Sequence, residues 1–397
     1  MWTYRVLTVL VMCLTLTFGF GLAIAEAAPA EPPPETASWQ AASKKLDLSH
    51  FEEYKNKIDG EFSPTGSSRS VAQWLGEFAA GKWELNPAEI GAALKQYFIG
   101  EVAASIRLLG KILVLAVISA LLINLQSSFE NKGVAGLASM ACFLALSAIA
   151  LGSFKHVLLM GRETIGGLAD FMTGILPQMM ILVTGIGHVH TAAGMFPLLM
   201  VMSTTLANTM NYVVFPLIVI SAVLSLIDCL GDTVKIERLA KLVTMLAEVT
   251  LGIVCTVFVT ILTARSVYGS VMDALTLKTG KFVTDTFFPV VGGYLADALE
   301  TTAGYVVLLK QAVGILGVLI VFGILIFPVI KIAVVALVYK LAGALVEPLG
   351  DARTSKALDL MGNHLIMVLA AVTIVGLMFL ILLAIVAMIG NATVLSR

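Results

Sequence analysis

The sequence predicts an all-α polytopic membrane protein: a cleavable signal sequence, a small helical extracytoplasmic region, and about eight transmembrane helices with one amphipathic insert among them. Three observations carry this. Of 397 residues, 58% are hydrophobic and 13% charged, whereas an ordinary soluble domain is about 25% charged and at most about half apolar. Mean hydropathy over the whole chain is +0.96. Apolar runs near the length of about 20 residues that one bilayer crossing needs recur from Leu108 to Ile389.

The first element is a targeting segment. Arg5 precedes an apolar run from Val6 to Ile24, and Ala23-Ile24-Ala25 and Ala25-Glu26-Ala27 both fit the small-x-small cleavage pattern. An uncleaved anchor is the alternative, and either one delivers the following residues outside the cytoplasm. Pro29, Pro32, Pro33 and Pro34, with Glu31 and Glu35, then make a stiff acidic linker. Ser63 to Ser68 reads as a loop. Val71, Trp74, Leu75 and Phe78 recur at helical spacing, and so do Ile90, Leu94 and Phe98. Two or three short amphipathic helices follow from this. Their apolar stripes either pack on each other or on the membrane surface, or form a docking face for an extracytoplasmic partner.

From Arg107 the chain reads as membrane. Spans are expected over 108–125, 134–154 and 171–187, the last broken by Pro177. The apolar stretch 195–230 is too long for one crossing and divides around Asn208 to Asn211. Further spans cover 242–263, 312–338 and 365–389. Between them, 155–170 reads as a short amphipathic piece and His188-Val189-His190 as a loop. The chain thus divides into 1–28, 29–105, 106–264, 265–311 and 312–397. With the polar region outside, the basic loops at Lys132, at Lys235 to Lys241 and at Lys340 to Lys356 fall inside, as the positive-inside rule favours.

Function classes are narrowed by what the residues can do. A formal net charge of −1 leaves no basic excess for binding nucleic acid by counterion release. Four scattered cysteines in apolar stretches form neither a disulfide framework nor a zinc site. Gly-x-x-x-x-Gly-Lys-Ser/Thr and His-Glu-x-x-His are absent, and Gly185 to His190 has His where a dinucleotide fingerprint needs its third Gly. His188 and His190 alone are not a metal site. The reading is of a non-enzyme with no cofactor and no metal.

Charges at membrane depth say more, because each costs at least about 2.5 kcal/mol at a helix centre and turns toward a partner or water. Glu248 lies within the first two turns of its span and either snorkels, pairs with Lys241 or Thr244, or faces a path. Lys331 follows Pro328, which bends a helix by removing one hydrogen bond. Lys331 either lines a cavity at that bend or marks a span that stops early. The insert 265–311 carries Lys278, Lys281, Asp285, Asp297 and Glu300 among aromatic residues, with Pro289, Gly292 and Gly293 breaking it into two helical pieces. It either lies in the interface, re-enters the membrane, or lines a pore. These eight residues and Lys331 are the candidates for a conduit or a subunit contact.

The run Leu275 to Val318, the string Phe-Pro-Val-Ile-Lys at 327–331, Tyr-Lys-Leu-Ala-Gly-Ala-Leu-Val-Glu-Pro-Leu-Gly-Asp at 339–351 and the closing Gly-Asn-Ala-Thr-Val together resemble the stage III sporulation protein AE family of endospore-forming bacteria. The resemblance spans nearly the whole chain. It implies a membrane subunit of the channel, or feeding-tube, complex between mother cell and forespore, similar to secretion machines and needed for late forespore gene expression. Implied partners are the other stage III A operon membrane proteins and, through the complex, stage II sporulation protein Q. ATPase activity would come from another subunit. An ion-coupled transporter and a non-conducting scaffold are the other readings. One expectation concerns orientation: single cysteines placed near Trp74 should react with an impermeant thiol reagent added outside, and those near Arg353 should not. The opposite labelling pattern would invert the topology.

Overall fold

A computed structural model describes residues 49–62, 70–79, 87–126, 132–186, 188–230, 236–287, 291–349 and 351–388. The expected signal sequence, the proline-rich linker, the loop at Ser63 to Ser68 and Pro289 lie outside them. The described chain is helical, with no strand among the described residues. Two short helices come first, α1 (Ser49–Phe62) and α2 (Val71–Ala79). Long ones follow: α3 (Pro87–Gln126), α4 (Lys132–Gly185) and α5 (Val189–Thr209). A π-helical segment (Met210–Val214) leads directly into α6 (Phe215–Leu230). Then come α7 (Glu237–Phe287), α8 (Val291–Val346), a 3₁₀ turn (Glu347–Leu349) and α9 (Ala352–Met388).

Six stretches among the described residues are long and apolar enough to cross a membrane: Gly91–Leu121, Met140–Gly185, Ala192–Leu230, Glu237–Leu262, Val306–Leu349 and Ala352–Ala387. The sequence expected about eight, and the difference has two sources. Residues 155–170 are not a connecting piece but the middle of α4, which runs unbroken for 54 residues, about 80 Å at 1.5 Å per residue. The break expected at Asn208 to Asn211 is a π segment inside a continuous helix. In both places polar side chains ride on a helix without ending it. Arg162 is held by donating from Nη2 to the carbonyl oxygen of Asn211 at 2.6 Å, a carbonyl left open because the Phe215 N–H bonds to the Met210 carbonyl oxygen and Pro216 has no N–H.

With each of the six stretches crossing once, Lys132, Lys241 and Arg353–Lys356 would share one side and His188 would lie on the other. Gly185, just before His188, sits against Val306 at the start of the apolar part of α8.

The core is built on α8 and α9, an antiparallel pair joined by the 3₁₀ turn, with α4 packed along both. Glycines permit the closest approaches. A Cβ on Gly317 of α8 would lie 2.6 Å from Ile175 Cδ1 of α4 and 2.8 Å from Leu383 Cδ2 of α9. Asp351 caps α9: its Oδ1 accepts from the Thr354 N–H at 3.0 Å and its Oδ2 from Thr354 Oγ1 at 2.6 Å. The same Oδ2 accepts from Ser119 Oγ of α3 at 2.7 Å, so the cap also ties α3 to the pair. Tyr339 of α8 shares a short hydrogen bond with Ser153 of α4.

The amphipathic stripes of α1 and α2 face the bundle. Phe51 and Tyr54 both make edge-on ring contacts with Phe171 of α4, at 5.7 and 5.4 Å between centroids. Ile58 lies over Gly323 of α8, where an added Cβ would come within 2.6 Å of it. Burial pushes the Tyr54 phenol above its ordinary pKa, and the neighbouring Asp170 carboxylate of α4 adds to this. α2 begins with a capping box, Gln73 N–H donating to Ser70 Oγ and Ser70 N–H to Gln73 Oε1. Its Trp74, Leu75 and Phe78 pack on Ala312, Leu316 and Leu319 of α8. None of the expected partners is the main one observed: the stripe of α2 packs on α8 of the bundle, and Ile90, Leu94 and Phe98 lie on the 40-residue α3 rather than on a short helix, with Phe98 exposed.

Gly317→Val should lower the thermal midpoint of the detergent-purified chain, at a cost of about 1–3 kcal/mol from overpacking. Gly152→Ala in α4, where nothing lies within 4 Å of an added Cβ, should leave the midpoint unchanged or raise it slightly. Equal effects of the two would mean that the close approach at Gly317 is not sustained in solution.

Candidate functional site

A slot of about 490 Å³ lies among the described residues between α6, α7 and α9, with charged side chains at its mouth. Its mouth lies where α6 ends and where α7 and α9 begin. Two ion pairs flank it. Lys356 of α9 meets Asp228 of α6 at 3.3 Å, and Lys241 meets Glu237 one turn apart on α7 at 2.5 Å. Asp228 also accepts from the Ile236 N–H at 3.2 Å, fastening the α6–α7 connection. Just beside the mouth, Lys340 of α8 donates to Asp359 at 2.6 Å and to Asn363 at 2.7 Å.

The slot deepens along helical faces. On α7 the lining positions Glu237, Lys241, Thr244 and Glu248 are spaced three or four apart, as one face of a helix requires. On α9 Lys356, Leu360, Asn363, His364 and Met367 repeat the pattern. Eleven residues separate Glu237 from Glu248, or Lys356 from Met367. At 1.5 Å per residue the floor lies about 16 Å below the rim, roughly half of a bilayer's hydrocarbon thickness.

Two groups stand at that floor. His364 is 4% exposed. Its Nδ1 lies 3.2 Å from Ser221 Oγ and its Nε2 3.1 Å from Ser225 Oγ, both on α6. Proton counting assigns the tautomer. Ser221 Oγ spends its one hydrogen on the Ile218 carbonyl oxygen at 2.9 Å. It therefore accepts from Nδ1–H, which leaves Nε2 as the acceptor for the Ser225 hydroxyl. His364 is thereby satisfied as a neutral imidazole. Glu248 is half-buried, and no donor among the described residues reaches it. Of the pairings expected for it, neither forms: Lys241 is engaged by Glu237, and Thr244 Oγ1 donates to the Ala240 carbonyl oxygen.

The residues singled out in the sequence are distributed differently. Lys278, Lys281 and Asp285 lie on the far part of α7, and Gly292, Gly293, Asp297 and Glu300 on the first turns of α8; their side chains are outside the described ones. The two helices end at Phe287 and begin at Val291, either side of Pro289, as the expected break into two pieces requires. The first piece is a direct continuation of a span, not a separate helix. Lys331 lies half-buried within α8, three residues past Pro328, in a helix that continues to Val346, so no span ends there. Lys331, the one of the nine whose side chain is described, does not line the slot. Asp228, Lys356 and His364 were not anticipated as site residues. The available signal was Ser221 and Ser225, two hydroxyls one turn apart in an apolar helix, which call for a buried polar partner.

Among the described residues no three His, Cys, Asp or Glu side chains converge to hold a metal. What the fold and slot define is a multi-pass helical membrane protein with a cleft, charged at its mouth, that enters from one end of the bundle. Comparison with known proteins gives the particular kind. The stage III sporulation protein AE family matches residues 69–390. The stage III sporulation protein AE of Bacillus subtilis strain 168 is 32% identical over 371 residues, covering 93% of this chain and 92% of that protein. No solved structure matches. The chain belongs to the stage III sporulation protein AE family, and so to a family of sporulation proteins.

With water in the slot, Thr244→Cys in a background lacking Cys13, Cys142, Cys229 and Cys255 should react with a small charged thiol reagent on the order of tenfold faster than Ile253→Cys. Ile253 is 58% exposed on the outer face of α7, where lipid suppresses the reactive thiolate. Comparable rates at both positions would mean that water does not enter.

Proposed function

We propose that the chain is a membrane subunit of the sporulation channel complex between mother cell and forespore, a feeding-tube assembly with secretion-like character that late forespore gene expression requires. The observation that carries this is family membership over nearly the full length. The architecture supports it. Long apolar helices, two amphipathic helices clasped to the bundle and no nucleotide-binding motif suit a non-enzymatic subunit whose energy comes from another subunit's ATPase. It would sit as a multi-pass protein in the mother-cell membrane surrounding the forespore, with α1 and α2 on the extracytoplasmic side. Its partners there are other stage III A operon membrane proteins and, through them, stage II sporulation protein Q.

Within that assembly the stretch from Lys278 to Glu300 serves as the conduit lining or the subunit contact. Opposed charges on helices that directly extend membrane spans are costly against lipid and useful against protein or water. One observation favours the second reading, an ion-coupled permease: the deep carboxylate at the floor of the slot. A permease of the inverted-repeat type would carry matching broken helices in its two halves. Pro177 and Pro328 both lie inside long helices, but the sequence carries no convincing internal repeat around them, so the channel-subunit reading is preferred.

Lys281→Glu and Asp285→Lys, introduced singly at the chromosomal locus, should each cut heat-resistant spore yield by on the order of a hundredfold and silence a late forespore reporter, with protein levels unchanged by immunoblot. Normal sporulation in both variants would remove the insert from the proposal. Normal sporulation in a strain lacking the protein would remove the proposal itself.

A further inference from the structure

We propose that the slot between α6, α7 and α9 is a proton-access path, which delivers one proton from the mouth to the carboxylate of Glu248. The inference rests on the slot alone and does not depend on the channel-complex reading.

Charge balance is the first argument. The lining side chains supply three carboxylates, Asp228, Glu237 and Glu248, against two ammonium groups, Lys241 and Lys356. Two carboxylates are paired at the rim, and the remaining negative charge is Glu248, alone and about 16 Å deeper. One positive charge is missing, at the deepest point. His364 does not supply it, because its two serine partners are arranged around the neutral ring.

The donor set then decides which cation fits. A metal cation needs several converging oxygens. Here the floor offers one carboxylate and the Thr244 oxygen, whose hydrogen goes to Ala240, while the nearby backbone carbonyls are engaged in helix, so fewer oxygens converge than a metal requires. A proton needs only one oxygen and a chain of water to reach it. The transfer is simple in atoms and charge: a hydronium ion in the slot gives its proton to a Glu248 oxygen, leaving water and a neutral carboxyl, with no redox change.

Other titratable groups on the packed helices do not compete for this role. α6 carries Asp228, paired, and Cys229, buried beside it. α9 carries Arg353, exposed in its first turn beyond the lining, Lys356 and Asp359, each in an ion pair, and His364. The π segment contributes Tyr212, 77% exposed. α5 contributes His190, exposed at its first turn, and α8 contributes Lys340, paired with Asp359.

Glu248 also sits on the helix best placed to respond. Only 17% of the apolar stretch of α7 is buried within the protein, the smallest share of the six. That helix is continuous to Phe287, so a change in its seating on α6 reaches Lys278 to Asp285 directly. Neutralising Glu248 removes the charge that holds its side chain toward the slot.

The test uses the purified full-length chain in liposomes and reads the carboxyl C=O stretch by infrared difference spectroscopy. Wild type minus Glu248→Gln should show one carboxyl that gains and loses its proton reversibly with bulk pH. Its position should be the same in sodium and potassium chloride. Asn363→Leu, which fills the slot above the floor, should keep this carboxyl but slow its exchange into deuterated buffer on the order of tenfold. Glu248→Asp should restore a titrating band and guards against misfolding of the glutamine variant. Three results would each overturn the proposal: no difference band at any pH, a titration displaced by sodium, or exchange in Asn363→Leu as fast as in wild type.

Discussion

Ionic and polar groups carried into a hydrocarbon solvent must end against protein or water, and several helix contacts of this bundle follow from meeting that requirement. Asp351 meets it by capping α9 and taking the Ser119 hydroxyl, which brings α3 against the α8–α9 pair. Arg162 meets it with a backbone carbonyl freed by a π turn, joining α4 to the α5–α6 helix. His364 meets it with two serines of α6. Each contact joins helices far apart in sequence, so polar groups specify which helices are neighbours while apolar burial, which is non-directional, supplies most of the cohesion.

Small residues set how near those neighbours come. Lipid tails are as apolar as the helix surfaces, so close packing rather than water exclusion favours association inside a membrane. Gly314, Gly317 and Gly376 are the positions at which α8 and α9 approach one another and α4 most closely, and Gly174 and Gly323 receive α1. Gly-x-x-x-Gly spacing is absent from the chain. The contact surface is instead assembled from single glycines on different helices, which no linear motif reveals.

The slot is where these rules leave something over. Ion pairs close its rim, and serines satisfy its histidine, but Glu248 has no donor among the described residues. A half-buried carboxylate facing the cleft is a site where protonation changes the local charge balance at little structural cost. Its place on the least buried of the six long helices links that charge to the stretch with the least packing inside the chain. The channel-subunit reading gives a movement of that stretch a use, since the same helix continues into the charged insert.

Membrane character, the helical class and the family were legible in the amino-acid order, because they depend on composition, on apolar runs matched to bilayer thickness and on long ordered strings such as Leu275 to Val318. Glu248 could also be singled out there, since its anomaly is local: one carboxylate in an apolar run. Whether polar stretches at 155–170 and 208–211 end a helix could not be read locally. Backbone hydrogen bonds favour continuing the helix in lipid, and the partners that make this tolerable, Arg162 and the Asn211 carbonyl, are 49 positions apart. For the same reason the slot emerges only in three dimensions. Ser225 and His364 are separated by 139 residues and Asp228 and Lys356 by 128, so their meeting is a consequence of helix packing, which periodicity along a single segment does not encode.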